Sequence, residues 1–243
     1  MLINIMYHHI GSDVLSNSPQ IFEEHLKYIR AHFTSVFPTK DELPKNPICL
    51  IFDDGYFDFY HYAFPLLQKY EIKALLAVPS KYILKTCQTQ PKIRLGFKHD
   101  DCYKNYKSGT FCTFEELKEM QESGFVKIAS HSHSHCDLTD KNCDLETELK
   151  LSKEILEKNL GVKIENFVYP YGKYNNEILK KTLEIYDFAF RIGKGIHKDF
   201  SGIRGVNYRI KGDNLNSADE IFSRKNMIKY YLKASFKRII DDK

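Results

Sequence analysis

The sequence predicts an α/β protein in which parallel β-strands alternate with amphipathic crossover helices. Six short runs rich in Ile, Val and Phe have the length and composition of buried strands: residues 2–8, 48–54, 73–79, 126–132, 165–170 and 187–193. Between them apolar residues recur at helical spacing, and predicted helices cover residues 20–33, 57–71, 113–124, 145–161 and 176–186. Because this alternation continues along most of the 243 residues, we expect a single domain.

Local signals mark several helix ends. Thr113 and Glu116 have the spacing of a capping box, which predicts a helix that begins at this point. Gly124 and Gly161 stand where two helices should end, because glycine readily adopts the left-handed conformation that closes a helix.

Two stretches do not fit the alternation. Residues 80–112 are too long for an ordinary connection and are predicted to form an insertion loop beside the substrate. Residues 211–243 are predicted to form a C-terminal helical extension, with the helix in residues 219–240. This helix is expected to pack on the outside of the domain. The alternative is a helix on a membrane surface, since its basic residues are mixed with aromatic ones.

The composition argues against several classes of partner. A net charge of +4 with scattered basic residues is too weak a pattern for nucleic-acid binding. No stretch approaches the roughly 20 apolar residues of a membrane span, and the first residues lack the basic start of a signal peptide, so we expect a cytoplasmic protein. Free thiols are expected because none of the cysteines has CxxC spacing: Cys49, Cys87, Cys102, Cys112, Cys136 and Cys143.

Residues that carry chemistry follow four of the predicted strands. They lie at residues 7–9, 53–54, 131–135 and 169–172. In parallel α/β folds the carboxyl ends of the strands meet at one face, which is where reactive groups gather. We therefore expect these four segments to converge on one site.

Asp53 and Asp54 end the second strand and precede a glycine. Consecutive strand residues point in opposite directions, so one carboxylate can ligate a metal while the other remains free as a base. The alternative is an Asp-Asp-Gly turn on the surface.

His131, His133 and His135 occupy alternate positions after the fourth strand. One helical turn would bring His131 and His135 to the same face and turn His133 away. With a carboxylate from Asp54 they would supply two nitrogens and one oxygen to one divalent ion. This ligand set suits zinc best, with iron, cobalt and nickel as alternatives. Cys136 as a fourth ligand is disfavoured because it would close the site.

Three motifs in order carry a family resemblance: Phe-Asp-Asp-Gly at 52–55, His-Ser-x-x-His at 131–135 followed by Leu138-Thr139, and Phe-Val-Tyr-Pro-Tyr-Gly at 167–172. Over residues 1 to about 210 the chain resembles the polysaccharide deacetylases, which are carbohydrate esterases of family 4 with a NodB homology domain. The resemblance implies a distorted (β/α) barrel with about seven strands, to which the C-terminal helix would be added. It also implies hydrolysis of N- or O-acetyl groups on sugars.

The resemblance assigns a role to each matching residue. Asp53 corresponds to the general base, and Asp54, His131 and His135 correspond to the metal ligands. Tyr171 corresponds to the residue whose backbone N–H holds the oxyanion of the tetrahedral intermediate.

The departures from the family pattern point to a subgroup. Val168 stands where many members have the arginine that holds the catalytic aspartate, so another group must orient Asp53. The late Leu-x-His motif is missing as well, since His197 lies too close to the third motif. An opening Tyr-His and the segment Tyr208-Arg209-Ile210 resemble the poly-β-1,6-N-acetylglucosamine deacetylases. In that subgroup the N-terminal histidine is the acid, which corresponds to His8; the alternative is a structural role for His8.

These observations predict a metal-dependent hydrolase that removes an N-acetyl or N-formyl group from an amino sugar in a glycan or glycan precursor. The rival hypothesis is a binding module that keeps the fold, and with it the metal, without turnover. A metallophosphoesterase is disfavoured because it would need more metal-ligating carboxylates and asparagines. His99 lies in the insertion, where a solvated loop beside the sugar is expected.

Overall fold

A computed structural model describes residues 1–240, and seven parallel strands form its barrel. The barrel strands are β1 (Ile3–Tyr7), β5 (Pro47–Phe52), β6 (Ala74–Val78), β7 (Val126–Ser130), β8 (Asn166–Val168), β9 (Phe188–Ile192) and β10 (Val206–Lys211). Three short strands lie outside it: β2 (His9–Ile10), β3 (Ser16–Asn17) and β4 (Thr34–Ser35). All six predicted strands are present.

The barrel is closed, but the length over which neighbouring strands pair varies around it. Its strands follow the order β1-β10-β9-β8-β7-β6-β5, and pairing of β1 with β5 closes the ring. That closing pair is in register from Ile3 opposite Ile48 to Tyr7 opposite Phe52. In contrast, β7 and β8 pair at a single position, Ser130 opposite Phe167. The predicted distorted barrel of about seven strands in a single domain is therefore confirmed.

Alternation along the strands separates two cores. Cys49 and Ile51 of β5 belong to one buried cluster, whereas Ile48 and Leu50 belong to the larger one that includes residues of the surrounding helices. Successive strand residues point to opposite faces, so the smaller cluster fills the barrel and the larger one joins the barrel to its helices. A few polar residues are also buried within the strands, among them Asn4 of β1 and Asn207 and Arg209 of β10.

The helices surround the barrel. They are α1 (Pro19–His32), α2 (Phe64–Lys69), α3 (Pro91–Arg94), α4 (His99–Cys102), α5 (Phe114–Glu122), α6 (Ser152–Leu160), α7 (Asn176–Ile185) and α8 (Arg224–Ile240). Two predicted helices begin as π-helical segments, Phe59–Ala63 before α2 and Glu146–Leu151 before α6. The capping box of Thr113 and Glu116 is present, as predicted, at the start of α5.

The insertion at residues 80–112 is folded onto the barrel and contains α3 and α4. Buried Arg94 anchors it, because its guanidinium donates to both carboxylate oxygens of Glu116 on α5 and to the backbone carbonyls of Gly109 and Phe111. Such a two-point contact fixes direction as well as distance. The insertion therefore holds its own side chains in place at the barrel mouth.

The C-terminal stretch begins with a strand that the sequence analysis did not assign. Residues 206–211 form β10, so Lys211 ends the barrel and does not begin the helical extension. The predicted terminal helix is present as α8. Tyr230 and Ala234 are buried, whereas Leu232 and Phe236 are exposed. Residues 241–243 of the predicted extension lie outside the described residues. Within residues 1–240, no helix combines the length and apolar character that crossing a membrane requires.

The prediction of free thiols is wrong for one pair of cysteines. Cys136 and Cys143 form a disulfide across a separation of seven residues. Asp137 and Asp140 accept hydrogen bonds from the backbone of the intervening turn, which folds the chain back and brings the two cysteines together. The other four cysteines are free.

Candidate active site

A tight turn at the end of β5 separates the two adjacent aspartates. The strand ends at Phe52, and Asp54 and Gly55 both adopt left-handed backbone conformations, with φ of 69° and 70°. The Gly55 N–H donates to the carbonyl of Asp53, which closes the turn. Both carboxylates are buried, and each has its own set of partners. The pair is therefore part of the barrel mouth and not a turn on the surface.

Asp53 is held by Arg209 of β10. The guanidinium donates to both carboxylate oxygens, from Nη1 to Oδ1 at 2.5 Å and from Nη2 to Oδ2 at 2.9 Å. Burial raises the pKa of Asp53, but the charges of Arg209, His131 and His8 and the hydrogen bonds from Arg209 together outweigh burial, so the pKa lies below its ordinary value. Arg209 is the group that orients Asp53 in place of an arginine at position 168.

His8 lies near one carboxylate oxygen of Asp53 and is itself held by Asp213. Its Nε2 lies 3.9 Å from Oδ2 of Asp53. Its backbone N–H and its Nδ1 both contact the carboxylate of Asp213, at 2.8 and 2.9 Å. Burial lowers the pKa of His8, but the hydrogen bond to Asp213 and the charges of Asp53 and Asp213 raise it to about 9.

The histidine segment does not form the helical turn that its spacing predicts. Strand β7 ends at Ser130, and Ser132 and His135 adopt left-handed conformations with φ of 65° and 57°. The Ser132 hydroxyl accepts from the backbone N–H of His135, which closes a loop. The prediction of a helical turn is wrong because two left-handed residues bring positions i and i+4 together equally well.

His131 and His135 converge on Asp54. Their Nε2 atoms lie 3.6 and 3.3 Å from Oδ1 of Asp54. The carbonyl of Val168 lies 2.8 Å from Nδ1 of His131 and accepts its proton, which leaves the Nε2 lone pair directed to Asp54. Burial lowers the pKa of His131 to about 4, so its imidazole is neutral near pH 7. The ligand atoms of the three side chains lie within 4.8 Å of one another, a donor set that fits one divalent ion.

The other histidines of the predicted site region have other partners. His133 contacts the hydroxyl of Ser80 through Nδ1 and takes no part in the Asp54 group, as its predicted orientation requires. His197 is buried and accepts the backbone N–H of Tyr208 through Nε2, which is a structural contact.

Tyr103 is a site residue that the sequence analysis missed. It follows α4 in the insertion, and its hydroxyl donates to Oδ1 of Asp54 at 2.5 Å. Its ring also packs against that of His135, with centroids 5.1 Å apart. Burial raises the pKa of the Tyr103 hydroxyl well above its ordinary value, so it remains a donor. The insertion therefore contacts the candidate metal-binding residues directly.

A cavity of about 540 Å³ opens above these residues. Tyr171 forms part of its wall, with a left-handed backbone (φ 57°, ψ 1°) and a ring that contacts His135. A larger cavity of about 680 Å³ contains none of the predicted site residues and lies near the amino end of β9. The smaller cavity is the candidate site because all six predicted residues line it: His8, Asp53, Asp54, His131, His135 and Tyr171.

Comparisons with known proteins give matches in both sequence and structure. Residues 40–185 match the family model described as polysaccharide deacetylase. YxkH of Bacillus subtilis, named for the same family, is 30% identical over 187 residues, which cover 72% of this chain and 58% of YxkH. The poly-β-1,6-N-acetyl-D-glucosamine N-deacetylase of Staphylococcus aureus is 24% identical over 211 residues, which cover 77% of this chain and 67% of the relative.

Two solved structures share the fold. The deacetylase PplD of Streptococcus pyogenes, solved with acetate, superposes with a TM-score of 0.72 at 24% identity, over 94% of this chain and 97% of PplD. BA0330 of Bacillus anthracis, named for the polysaccharide deacetylases, superposes with a TM-score of 0.75 at 23% identity, over 91% of this chain and 68% of BA0330.

Proposed function

The chain belongs to the polysaccharide deacetylase family, and we propose that it is a metal-dependent hydrolase that removes the N-acetyl group from an amino sugar in a glycan or glycan precursor. The observation that carries this proposal is the different surroundings of the two adjacent aspartates, Asp53 and Asp54. Asp53 faces an arginine and a histidine, whereas Asp54 faces two imidazole nitrogens, and both groups open into one cavity.

Asp53 is the proposed general base. Arg209 keeps its carboxylate ionised and fixes both oxygens, so the base has a defined direction before the substrate arrives. In the proposed reaction Asp53 accepts a proton from the water that attacks the acetamide carbonyl. The polar contacts of Asp53 with Arg209 and His8 leave it outside the proposed ligand set, which supports this role.

Asp54, His131 and His135 would hold one divalent ion, for which zinc is the best match to two nitrogens and one oxygen. When bound, the ion supplies a Lewis acid that polarises the acetyl carbonyl. The chain contributes the orientation of the ligands, because the Val168 carbonyl fixes the tautomer of His131. Iron, cobalt and nickel suit the same donors.

His8 is the proposed general acid. The leaving amine needs a proton at nitrogen, and His8 carries one near neutral pH because its pKa is about 9. Asp213 fixes the ring through Nδ1, so Nε2 is the atom that faces Asp53 and the cavity. The proposed base and acid therefore line the same cavity, with Nε2 of His8 3.9 Å from Oδ2 of Asp53.

Tyr171 is the proposed oxyanion-binding residue through its backbone N–H. Its left-handed conformation and its place against His135 in the cavity wall support this role. Preorganised backbone donors stabilise a developing negative charge without any rearrangement during the reaction.

The experiment that tests the function is release of acetate or formate from a panel of N-acylated amino sugars presented free, as β-1,6-linked oligomers and on carrier lipids. The names of the relatives favour N-acetylglucosamine polymers. Release of acetate that depends on added zinc supports the proposal. Metal binding without release of either acid from any panel member would favour the rival hypothesis of a binding module. A cytoplasmic location remains a proposal and can be tested by fractionation.

A further inference from the structure

Three hydrogen-bonded side chains, those of Asp58, His9 and His99, lie beside the proposed catalytic residues. Nδ1 of His9 contacts Oδ2 of Asp58 at 2.5 Å, and Nε2 of His9 contacts Nδ1 of His99 at 3.0 Å. Asp58 and His9 are buried, whereas His99 is half-buried and lines the site cavity. None of the three belongs to the proposed metal set, and no role assigned above uses them.

The directions of the hydrogen bonds from Asp58 through His9 to His99 define a tautomer for His99. When Asp58 is ionised, its carboxylate accepts the proton of His9 Nδ1, and Nε2 of His9 then carries a lone pair. That lone pair accepts the Nδ1 proton of His99. A neutral His99 with its proton on Nδ1 has a lone pair on Nε2, and Nε2 has no hydrogen-bond partner among residues 1–240.

Packing and two further contacts hold the rings of His9 and His99 in place. The His9 ring stacks on Tyr56 with centroids 3.9 Å apart, and the Tyr56 hydroxyl lies 3.3 Å from Nδ1 of His99. The backbone N–H of His99 donates to Asp13. His99 is thus fixed at its backbone and at Nδ1, and Nε2 remains available to the cavity.

We propose that His99 is a glycan-binding residue whose Nε2 accepts a hydrogen bond from a sugar hydroxyl, and that His9 and Asp58 are positioning residues that fix its tautomer. The inference rests on the proposed function, since the cavity must bind a sugar. It adds a recognition contact from the insertion, about which the three family motifs carry no information. A sugar hydroxyl suits this atom because it can donate one hydrogen bond to a neutral imidazole.

The first test is the tautomer itself, measured by nitrogen NMR on the full chain labelled with ¹⁵N-histidine. The His99 signals are assigned by their loss in His99→Ala. We expect a protonated Nδ1 and an unprotonated Nε2 in the wild-type protein, and a mixture of tautomers in His9→Phe. That variant keeps a ring on Tyr56 but removes both hydrogen bonds. A protonated Nε2 in the wild-type protein would overturn the inference, because the hydrogen bonds between Asp58, His9 and His99 would then run in the opposite direction.

The second test compares two probes: a β-1,6-linked N-acetylglucosamine oligomer and 4-nitrophenyl acetate, which has no sugar hydroxyl. His99→Ala should raise KM for the oligomer by about threefold to tenfold, as expected for one lost hydrogen bond. It should leave kcat and the hydrolysis of 4-nitrophenyl acetate nearly unchanged. His99→Gln, which keeps an acceptor oxygen, should restore part of the affinity. The control is His61→Ala, at an exposed histidine outside the cavity.

The double variant of His9 and His99 distinguishes a positioning role of His9 from a merely structural one. His9→Phe should raise KM for the oligomer as His99→Ala does, and the double variant should be no worse than His99→Ala alone. Additive losses, an unchanged KM in His99→Ala, or equal losses on both probes would overturn the inference. If the wild-type protein releases no acetate, the proposed function fails. The tautomer, and calorimetric binding of the oligomer to His99→Ala, would still decide the role of His99.

Discussion

Arg209 binds both oxygens of Asp53 from 156 residues further along the chain. Their strands are not adjacent, because β1 lies between β5 and β10 in the barrel. The arginine is completely buried, and a buried charge is tolerated only when its partner and geometry compensate for lost solvation. Closure of the barrel brings these two residues together. The pair therefore couples barrel closure to the orientation of the Asp53 carboxylate, the proposed base.

Replacing the guanidinium by an ammonium tests that coupling. Arg209→Lys keeps the charge but cannot bond both oxygens, so kcat should fall by about tenfold to a hundredfold. Because Arg209 lowers the pKa of Asp53, a weaker contact should also move the acid limb of the kcat/KM profile to higher pH. The measurement is a pH–rate profile, with Arg191→Lys as the control, since Arg191 donates to a backbone carbonyl. An acid limb that does not move would separate Arg209 from the base.

Asp53→Asn tests the base directly. The amide keeps the size of the carboxylate but accepts no proton near neutral pH, so kcat should fall by about a hundredfold or more. Metal content should remain near that of the wild-type protein, because Asp53 lies outside the proposed ligand set. Acetate release and metal analysis on the same preparation check the expected loss of turnover and the expected metal content. Near-normal turnover would assign the base to another residue.

The proposed ligands predict a metal content of about one divalent ion per chain. Changing Asp54, His131 or His135 to Ala should greatly reduce that occupancy, because each supplies one of three converging ligand atoms. The matched control is His133→Ala, since His133 belongs to the same segment but contacts Ser80. Elemental analysis after dialysis gives the result. Full occupancy in His131→Ala would refute the ligand assignment.

The sequence predicted the fold well because its strands are short, apolar and regularly separated by helices. It did not reveal β10, whose Asn207 and Arg209 interrupt the apolar pattern although both side chains are buried. An arginine between apolar residues was a usable signal for a buried ion pair. Its partner could not be identified, because pairing across a barrel depends on closure and not on sequence distance.

Local motifs identified residues that the structure brings together in one cavity, whereas the contacts from distant segments were missed. Asp213 lies 205 residues from His8, and Tyr103 lies in an insertion whose path no periodicity describes. The loop from His131 to His135 brings the predicted residues together, but through a different backbone from the predicted helical turn. Left-handed conformations at Ser132 and His135 depend on tertiary contacts that local propensity does not describe.

His8→Ala tests the source of the leaving-group proton. Loss of a positioned acid should slow cleavage of an N-acetylated sugar by roughly a hundredfold to ten-thousandfold. An activated ester such as 4-nitrophenyl acetate expels its leaving group without a proton, so the variant should be much less impaired on it. His197→Ala is the control, because its ring bonds the backbone inside the fold. Equal losses on amide and ester would mean that His8 is structural.

Asp213→Asn tests how His8 keeps its proton. Burial alone would lower the pKa of His8, and the hydrogen bond to Asp213 is the first of the contacts that raise it to about 9. A raised pKa means that the acid form is present below that pH and is lost as the pH rises through it. With a neutral amide at position 213 the pKa should fall, so the basic limb of the kcat profile should move to lower pH.

The loss in Asp213→Asn should therefore be small near pH 6 and large near pH 8, where the wild-type imidazole is still protonated. An NMR titration of the His8 ring in both proteins measures the same shift without substrate. Asp199→Asn, at a partly exposed acid that accepts hydrogen bonds within its own loop, is the control. If the basic limb and the titration are both unmoved, Asp213 serves only to anchor the backbone N–H of His8, and the proton must be retained by the charge of Asp53.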